Sequence, residues 1–197
     1  MYLDIGAFHP TRGSNTFRFY QKGCKGYVID IGKKKKNIWS IFRPRDNFIE
    51  AALVSNSFKG EEISFSMAGG YGEETDHISS SGIIKEDKKT KHYKSKVISV
   101  NSLEEIIYND ENWKKARWKF ISIDIEGSEN GIIREFDFLK LNPDVIAIEY
   151  FHPHVSSFRE KSKYIENFSN ENKSLRENYM VQSICGPTLI FVKLIKN

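Results

Sequence analysis

Apolar positions in this chain come in short runs that stop at an acid or a glycine, and between them lie segments with helical spacing. The first run, Tyr2, Leu3 and Ile5, carries Asp4 and stops at Gly6 and a turn rich in Thr, Gly, Ser and Asn, which predicts a strand ending in a loop. Ser14 and Asn15 are placed to cap a short helix that buries Phe17, Phe19 and Tyr20 and ends at Gly23. A second strand over 27–29 ends on Asp30, and Lys33 to Lys36 lead into a helix whose apolar face is Ile38, Trp39, Ile41 and Phe42. Residues 48–54 predict a third strand, 63–67 an alternating strand and 97–100 another short one. Leu103, Ile106 and Ile107 repeat at helical spacing behind a capping box of Ser102 and Glu105. Then follow a buried strand over 120–124, a helix over 128–136 and a continuous apolar strand over 145–150. A polar, lysine-rich stretch over 156–176 predicts a surface helix, and 179–184 with 189–195 read as a hairpin about Gly186 and Pro187. Strands alternating with helices predict an α/β fold with a mostly parallel sheet.

A chain of 197 residues builds one α/β domain over 1–197, and no internal repeat or second domain is visible. Met1 sits directly against the first strand, which fits either a compact variant or a chain lacking an N-terminal extension. A net charge of +4 is too small for a protein that lives on nucleic acid. Cys24 and Cys185 are too few for a disulfide framework, and reduced thiols of a cytoplasmic protein are the expectation. No apolar run approaches the roughly 20 residues of a membrane helix. Residues 68–93 mix glycines, serines, acids and lysines without periodicity, the pattern of a substrate loop or of a plain insertion.

The order strand, glycine turn, helix, strand, acid is the frame that grips an adenosine ribose, because a carboxylate at the tip of the second strand accepts both ribose hydroxyls. Here that acid is Asp30. The turn is not G-x-G-x-x-G: Gly6 stands alone, and Ala7, Phe8, His9 and Pro10 fill the places a pyrophosphate needs. Such a frame fits a ligand without phosphates, and S-adenosylmethionine is one. Asp4 is expected near its ammonium and sulfonium groups; the plain alternative is a capping role.

Ligands of open parallel sheets bind beyond the carboxyl ends of the strands. That rule gathers Asp4 and His9, Asp124 and Glu126, and Glu149 with His152 and His154. Two Phe-His-Pro triplets, at 8–10 and 151–153, open the loops of two of these strands. Asp124, Glu149, His152 and His9 are the candidate catalytic residues, a carboxylate or histidine within reach serving as base for a hydroxyl nucleophile. Asp124 and Glu149 are also placed to share a divalent cation. Glu126 has the plain alternative of a helix cap, and His154 that of simple exposure.

The segments YLDIGAFHPTRGSNTFRFYQKGCKGYVID, RPRDNFIEAALVS and FISIDIEGSENGIIREFDF, with the spacing between them, resemble FkbM-type S-adenosylmethionine-dependent methyltransferases over residues 2 to about 150. The resemblance implies a Rossmann-like class I methyltransferase fold, a seven-stranded sheet of order 3-2-1-4-5-7-6 with an antiparallel last strand. It also implies O-methylation of a hydroxyl on a sugar, glycan or small-molecule metabolite. It puts the cofactor turn on Asp4, Gly6 and Ala7, with Phe8 next to it, and the S-N-T element on Ser14, Asn15 and Thr16. The ribose acid falls on Asp30, and D-x-E-G on Asp124, Glu126 and Gly127. Where many members carry a proline turn after the ribose acid, this chain has Ile31, Gly32 and four lysines. Ala51 and Ala52 are expected to line the adenine, from their position on the third strand alone.

Three rivals stand beside this reading: an RNA methyltransferase with a basic groove, a non-catalytic module retaining the fold, and a nicotinamide oxidoreductase. Oligomeric state is left open. Thermal shift separates the cofactors: S-adenosylhomocysteine is expected to raise the melting temperature and NAD is not. Stabilisation by NAD alone reverses the assignment.

Overall fold

The computed structural model describes residues 1–32, 35–67, 76–78, 91–125, 129–149 and 165–195. In chain order these form β1 (Tyr2–Ile5), α1 (Phe17–Gln21), β2 (Gly26–Asp30), α2 (Lys35–Phe42), β3 (Asn47–Glu50), β4 (Ala52–Val54), β5 (Glu62–Met67), β6 (Asp76–Ile78) and β7 (Lys91–Ser99). They continue with α3 (Val100–Tyr108), α4 (Glu111–Lys115), β8 (Phe120–Ile123), α5 (Glu129–Ile133), α6 (Phe138–Leu141) and β9 (Val145–Glu149). The helix α7 over 165–170, α8 (Lys173–Asn178), β10 (Tyr179–Cys185) and β11 (Thr188–Lys193) complete the chain.

Seven strands form one mixed sheet in the order β3-β2-β1-β8-β9-β11-β10. The pairs among β3, β2, β1, β8 and β9 are parallel, whereas β11 runs antiparallel to both β9 and β10. Strand alternation sorts the side chains into two cores. Leu3, Ile5, Ile29, Ile121, Ile123, Ile146 and Ile148 face one way and pack with Leu103 and Ile107 of α3, Trp113 of α4, Phe138 of α6 and Leu175 of α8. Tyr2, Val28, Phe120 and Ala147 face the other way, onto Tyr20 of α1 and Trp39 of α2. Parallel strands covered on both faces have to be apolar on both, hence the uninterrupted runs.

The predicted third strand divides in two. After Glu50 the chain turns at Ala51, whose N–H donates to the Asp30 carbonyl (3.2 Å), and β4 leaves the large sheet to pair in parallel with β7. A second sheet of order β4-β7-β5-β6 results. Its strands take up part of the segment predicted as an irregular loop, since 76–78 is β6 and 91–93 opens β7. The remainder of that segment lies outside the described residues.

Cap positions also differ. The N-cap of α3 is Ser99, which accepts from the Ser102 N–H (3.2 Å), three residues ahead of the predicted box. At α1 the cap is Thr16, with no side-chain bond to the helix, because the hydroxyls of Ser14 and Thr16 serve a buried network described below. The α2 helix buries Trp39 and leaves Ile41 73 % exposed, with Ile38 and Phe42 also open, so its apolar stripe is only partly used. The polar stretch near the C-terminus is more than surface: Phe168 and Leu175 enter the core. Asn172 is buried too, capping α8 through Leu175 N–H (2.9 Å). Residues 156–164 of it lie outside the described residues.

Gly6 has φ +78°, and a Cβ added there would lie 1.5 Å from the Asp124 carbonyl oxygen. Gly6→Ala therefore combines a disfavoured backbone with a clash against backbone that two strands hold in place. A loss of roughly 3 kcal/mol or more is expected in urea unfolding, and an unchanged midpoint would refute the close approach.

Candidate active site

Chain order reverses between β1 and β8, since β2 and β3 extend the sheet on one side of β1 and β8 and β9 on the other. A crevice opens at the carboxyl ends of strands at such a point. The turn after β1 is tied to both neighbours: Gly6 and Ala7 N–H donate to the Ile29 carbonyl (2.9 and 3.2 Å), and Asp124 N–H donates to the Ile5 carbonyl (2.9 Å). Phe8 follows with φ +48°, a left-handed backbone that costs of order 1 kcal/mol outside glycine. Its ring is part-exposed.

His9 folds back on its own turn. Its Nδ1 accepts from the Thr11 and Arg12 N–H groups (both 3.1 Å), which assigns the ring proton to Nε2. Burial first, then the charges of Arg12 and Lys35, hold its pKa below the ordinary histidine value. With Nδ1 accepting, the ring caps the turn on that side.

Asp4 is 2 % exposed and lies on the α1/α2 face of the sheet, the face of Tyr2 and Val28. The Thr16 hydroxyl donates to its Oδ2 at 2.5 Å. Behind Thr16 stands Arg43, 1 % exposed. Its five N–H groups meet five acceptors: Asp46 Oδ2 (2.7 Å), the Pro10 carbonyl (3.3 Å), Ser14 Oγ (3.0 Å), Tyr2 Oη (2.8 Å) and Thr16 Oγ1 (2.9 Å). The guanidinium also lies 4.5 Å from the Trp39 ring centroid, a cation–π contact. Asp46 Oδ1 in turn accepts from Tyr2 Oη (2.5 Å) and the Gly26 N–H (3.0 Å). Ser14 and Thr16 therefore belong to a buried hub, and Asn15 ties the same loop to β8 through Ser122 Oγ (3.0 Å). Nothing in the sequence separates Arg43 from its neighbour Arg45, so the hub is not visible there.

Alternation also collects acids on this face. Asp30 at the end of β2 is the register partner of Glu50 at the end of β3. Asp30 is 7 % exposed, and its Oδ1 accepts from Lys35 Nζ at 2.9 Å. Lys35 Nζ is also 5.4 Å from the centroid of the Phe8 ring. On the other side of β1, Ile123 pairs with Ile148, so Asp124 and Glu149 follow at neighbouring strand ends. Glu50 and Lys35 have no place in the motifs read from sequence, and only the register and the ion pair bring them in. Glu126, His152 and His154 lie outside the described residues. Among the described residues no three of His, Cys, Asp and Glu cluster to hold a metal ion, and no helix is long and apolar enough to cross a membrane. An open recess of about 600 Å³, bordered by Trp118, Asp144, Val145 and Lys193, lies at the amino end of β9, away from these acids.

A mixed but mostly parallel α/β sheet, with a glycine turn locked at its switch point and an acid at the tip of β2, is an architecture of the Rossmann-like kind. The family model described as Methyltransferase FkbM domain matches residues 4–177, and the chain belongs to this methyltransferase family. Neither a curated protein nor a solved structure matches. Family membership implies use of S-adenosylmethionine in general, and the residues present fit it: a buried carboxylate, Asp30, stands at the tip of β2 beside the backbone turn at Gly6 and Ala7.

Burial pushes the Asp4 carboxyl from an ordinary 3.8 up to about 6, against the opposing effects of Thr16 and Arg43. Between those two values the native state holds this proton and the unfolded chain has lost it, so Asp4 makes stability fall as pH rises through that window and level off above it. Asp4→Asn, which cannot titrate, is expected to flatten that decline in a pH series of urea unfolding. Equal slopes in variant and wild type would contradict it.

Proposed function

We propose that the protein transfers a methyl group from S-adenosylmethionine to a hydroxyl of a sugar, glycan or small-molecule metabolite. The observation that carries this reading is Asp30, a buried carboxylate at the tip of β2 beside the glycine turn at the switch point of the sheet. Numbered within the large sheet alone, the strands run 3-2-1-4-5-7-6 with the seventh antiparallel, the order the resemblance implies, and this supports the class I assignment.

In this reading Asp30 accepts the two ribose hydroxyls, and the Gly6–Ala7 turn, packed against the Asp124 backbone at Gly6, forms the wall beside the nucleoside. Ala51, bonded through its N–H to the Asp30 carbonyl, borders the adenine side. Phe8 covers the mouth of the turn. Bound S-adenosylmethionine supplies a methyl carbon made electrophilic by its sulfonium. Asp124 and Glu149, at adjacent strand ends, orient the acceptor hydroxyl, and one of them takes its proton as the oxygen attacks. Asp4, Ser14, Asn15 and Thr16 are positioning residues, holding the loop that follows the turn. His9, with Nδ1 engaged, is assigned to the turn rather than to the proton transfer. Glu126 and His152, outside the described residues, keep the cofactor and base roles read from the sequence.

Asp124→Ala and Glu149→Ala test the proposal through transfer of a labelled methyl group to a panel of sugar and small-molecule hydroxyls. At least one variant is expected to lose about 100-fold or more in turnover while still binding S-adenosylhomocysteine. Full turnover by both, correctly folded, would sink it.

A further inference from the structure

We propose that Lys35 is a specificity-determining residue of the nucleoside site: an internal cation that occupies Asp30 and has to be displaced by any ligand that takes this acid with a pair of hydroxyls. The proposal rests on the cofactor reading above and adds a competitor to it. Three contacts carry it. Lys35 Nζ sits 2.9 Å from Asp30 Oδ1, and the two side chains keep only 15 % and 6 % of their surface, so the pair is shielded from water and salt. The same ammonium lies 5.4 Å from the centroid of the Phe8 ring, on the turn that forms the other wall of the crevice. The Lys35 N–H donates to the Gly32 carbonyl (3.0 Å), which anchors the residue beside the end of β2. The ammonium therefore spans from the β2 tip to the β1 turn, across the place where the ribose has to pass.

The physical consequence follows from what the two partners offer the carboxylate. An ammonium in a shielded site brings a full charge, whereas a ribose diol brings two neutral donors. A ligand with both hydroxyls replaces the lost bond twice over, while the lysine, at the start of α2, regains its hydration outside. The cost of opening the pair is subtracted from the affinity of every ligand that uses Asp30.

Calorimetric titration of S-adenosylhomocysteine into wild type, Lys35→Met and Lys35→Gln tests this. Both variants are expected to bind about fivefold more tightly than wild type, the size of a partly shielded ion pair. Equal or weaker binding by the variants overturns the competition, and so does tightening by Met alone, which would reflect apolar contact with the ligand. If wild type and both variants, all folded, fail to bind S-adenosylhomocysteine, the cofactor reading itself falls; finite but equal affinities remove only the role given to Lys35.

Discussion

A buried guanidinium is tolerated only when every one of its donors is met, since stranding a charge away from water costs several kcal/mol. Arg43 meets that condition with five bonds to five groups drawn from three parts of the chain: Tyr2 on β1, the turn residues Pro10, Ser14 and Thr16, and Asp46 before β3. Because the fork is planar and its donors are fixed in direction, satisfying one group constrains the others. The loop over 10–16 is long and polar, yet it has one arrangement compatible with the hub. Through Thr16 and Asp4 that arrangement reaches β1, and through Asn15 and Ser122 it reaches β8, the two strands that flank the switch point. The geometry of the crevice depends on a residue that does not border it.

The period of two along the strands does the rest. With isoleucines and leucines on one face and Tyr2, Val28, Phe120 and Ala147 on the other, both faces are sealed, and the acids at the strand ends are carried to the same edge. Asp30 and Glu50 meet by register, as do the ends of β8 and β9 that lead to Asp124 and Glu149. The family supplies the chemical class, methyl transfer, and this edge supplies acids of the kind that chemistry uses.

Much of the large sheet was legible because parallel strands buried on both sides are written as apolar runs, and the runs at 2–5, 27–29, 120–123 and 145–149 are unmistakable. The hairpin at the end was equally plain from Gly186 and Pro187 between two apolar stretches. The second sheet was not legible: β4 continues the same apolar run as β3, and only the turn at Ala51, fixed by a bond to the Asp30 carbonyl, sends it to a different partner. Helix caps were misplaced for a related reason. Ser14 and Asn15 have the composition of caps, but Ser14 Oγ accepts from the buried Arg43 and the Asn15 amide donates to Ser122 Oγ instead.

By itself the sequence determined the α/β class, the lone glycine where a pyrophosphate loop would need three, and the acid that closes the second strand, because local backbone sterics and strand periodicity act over a few residues. Tertiary structure alone decided that Asp4 turns inward to Thr16, that His9 caps its own turn, and that Lys35 rests on Asp30. Those outcomes are set by which groups face one another across the sheet. A burial cost borne by Arg43, whose acceptors lie up to 41 residues away in the chain, is invisible until the fold brings them together.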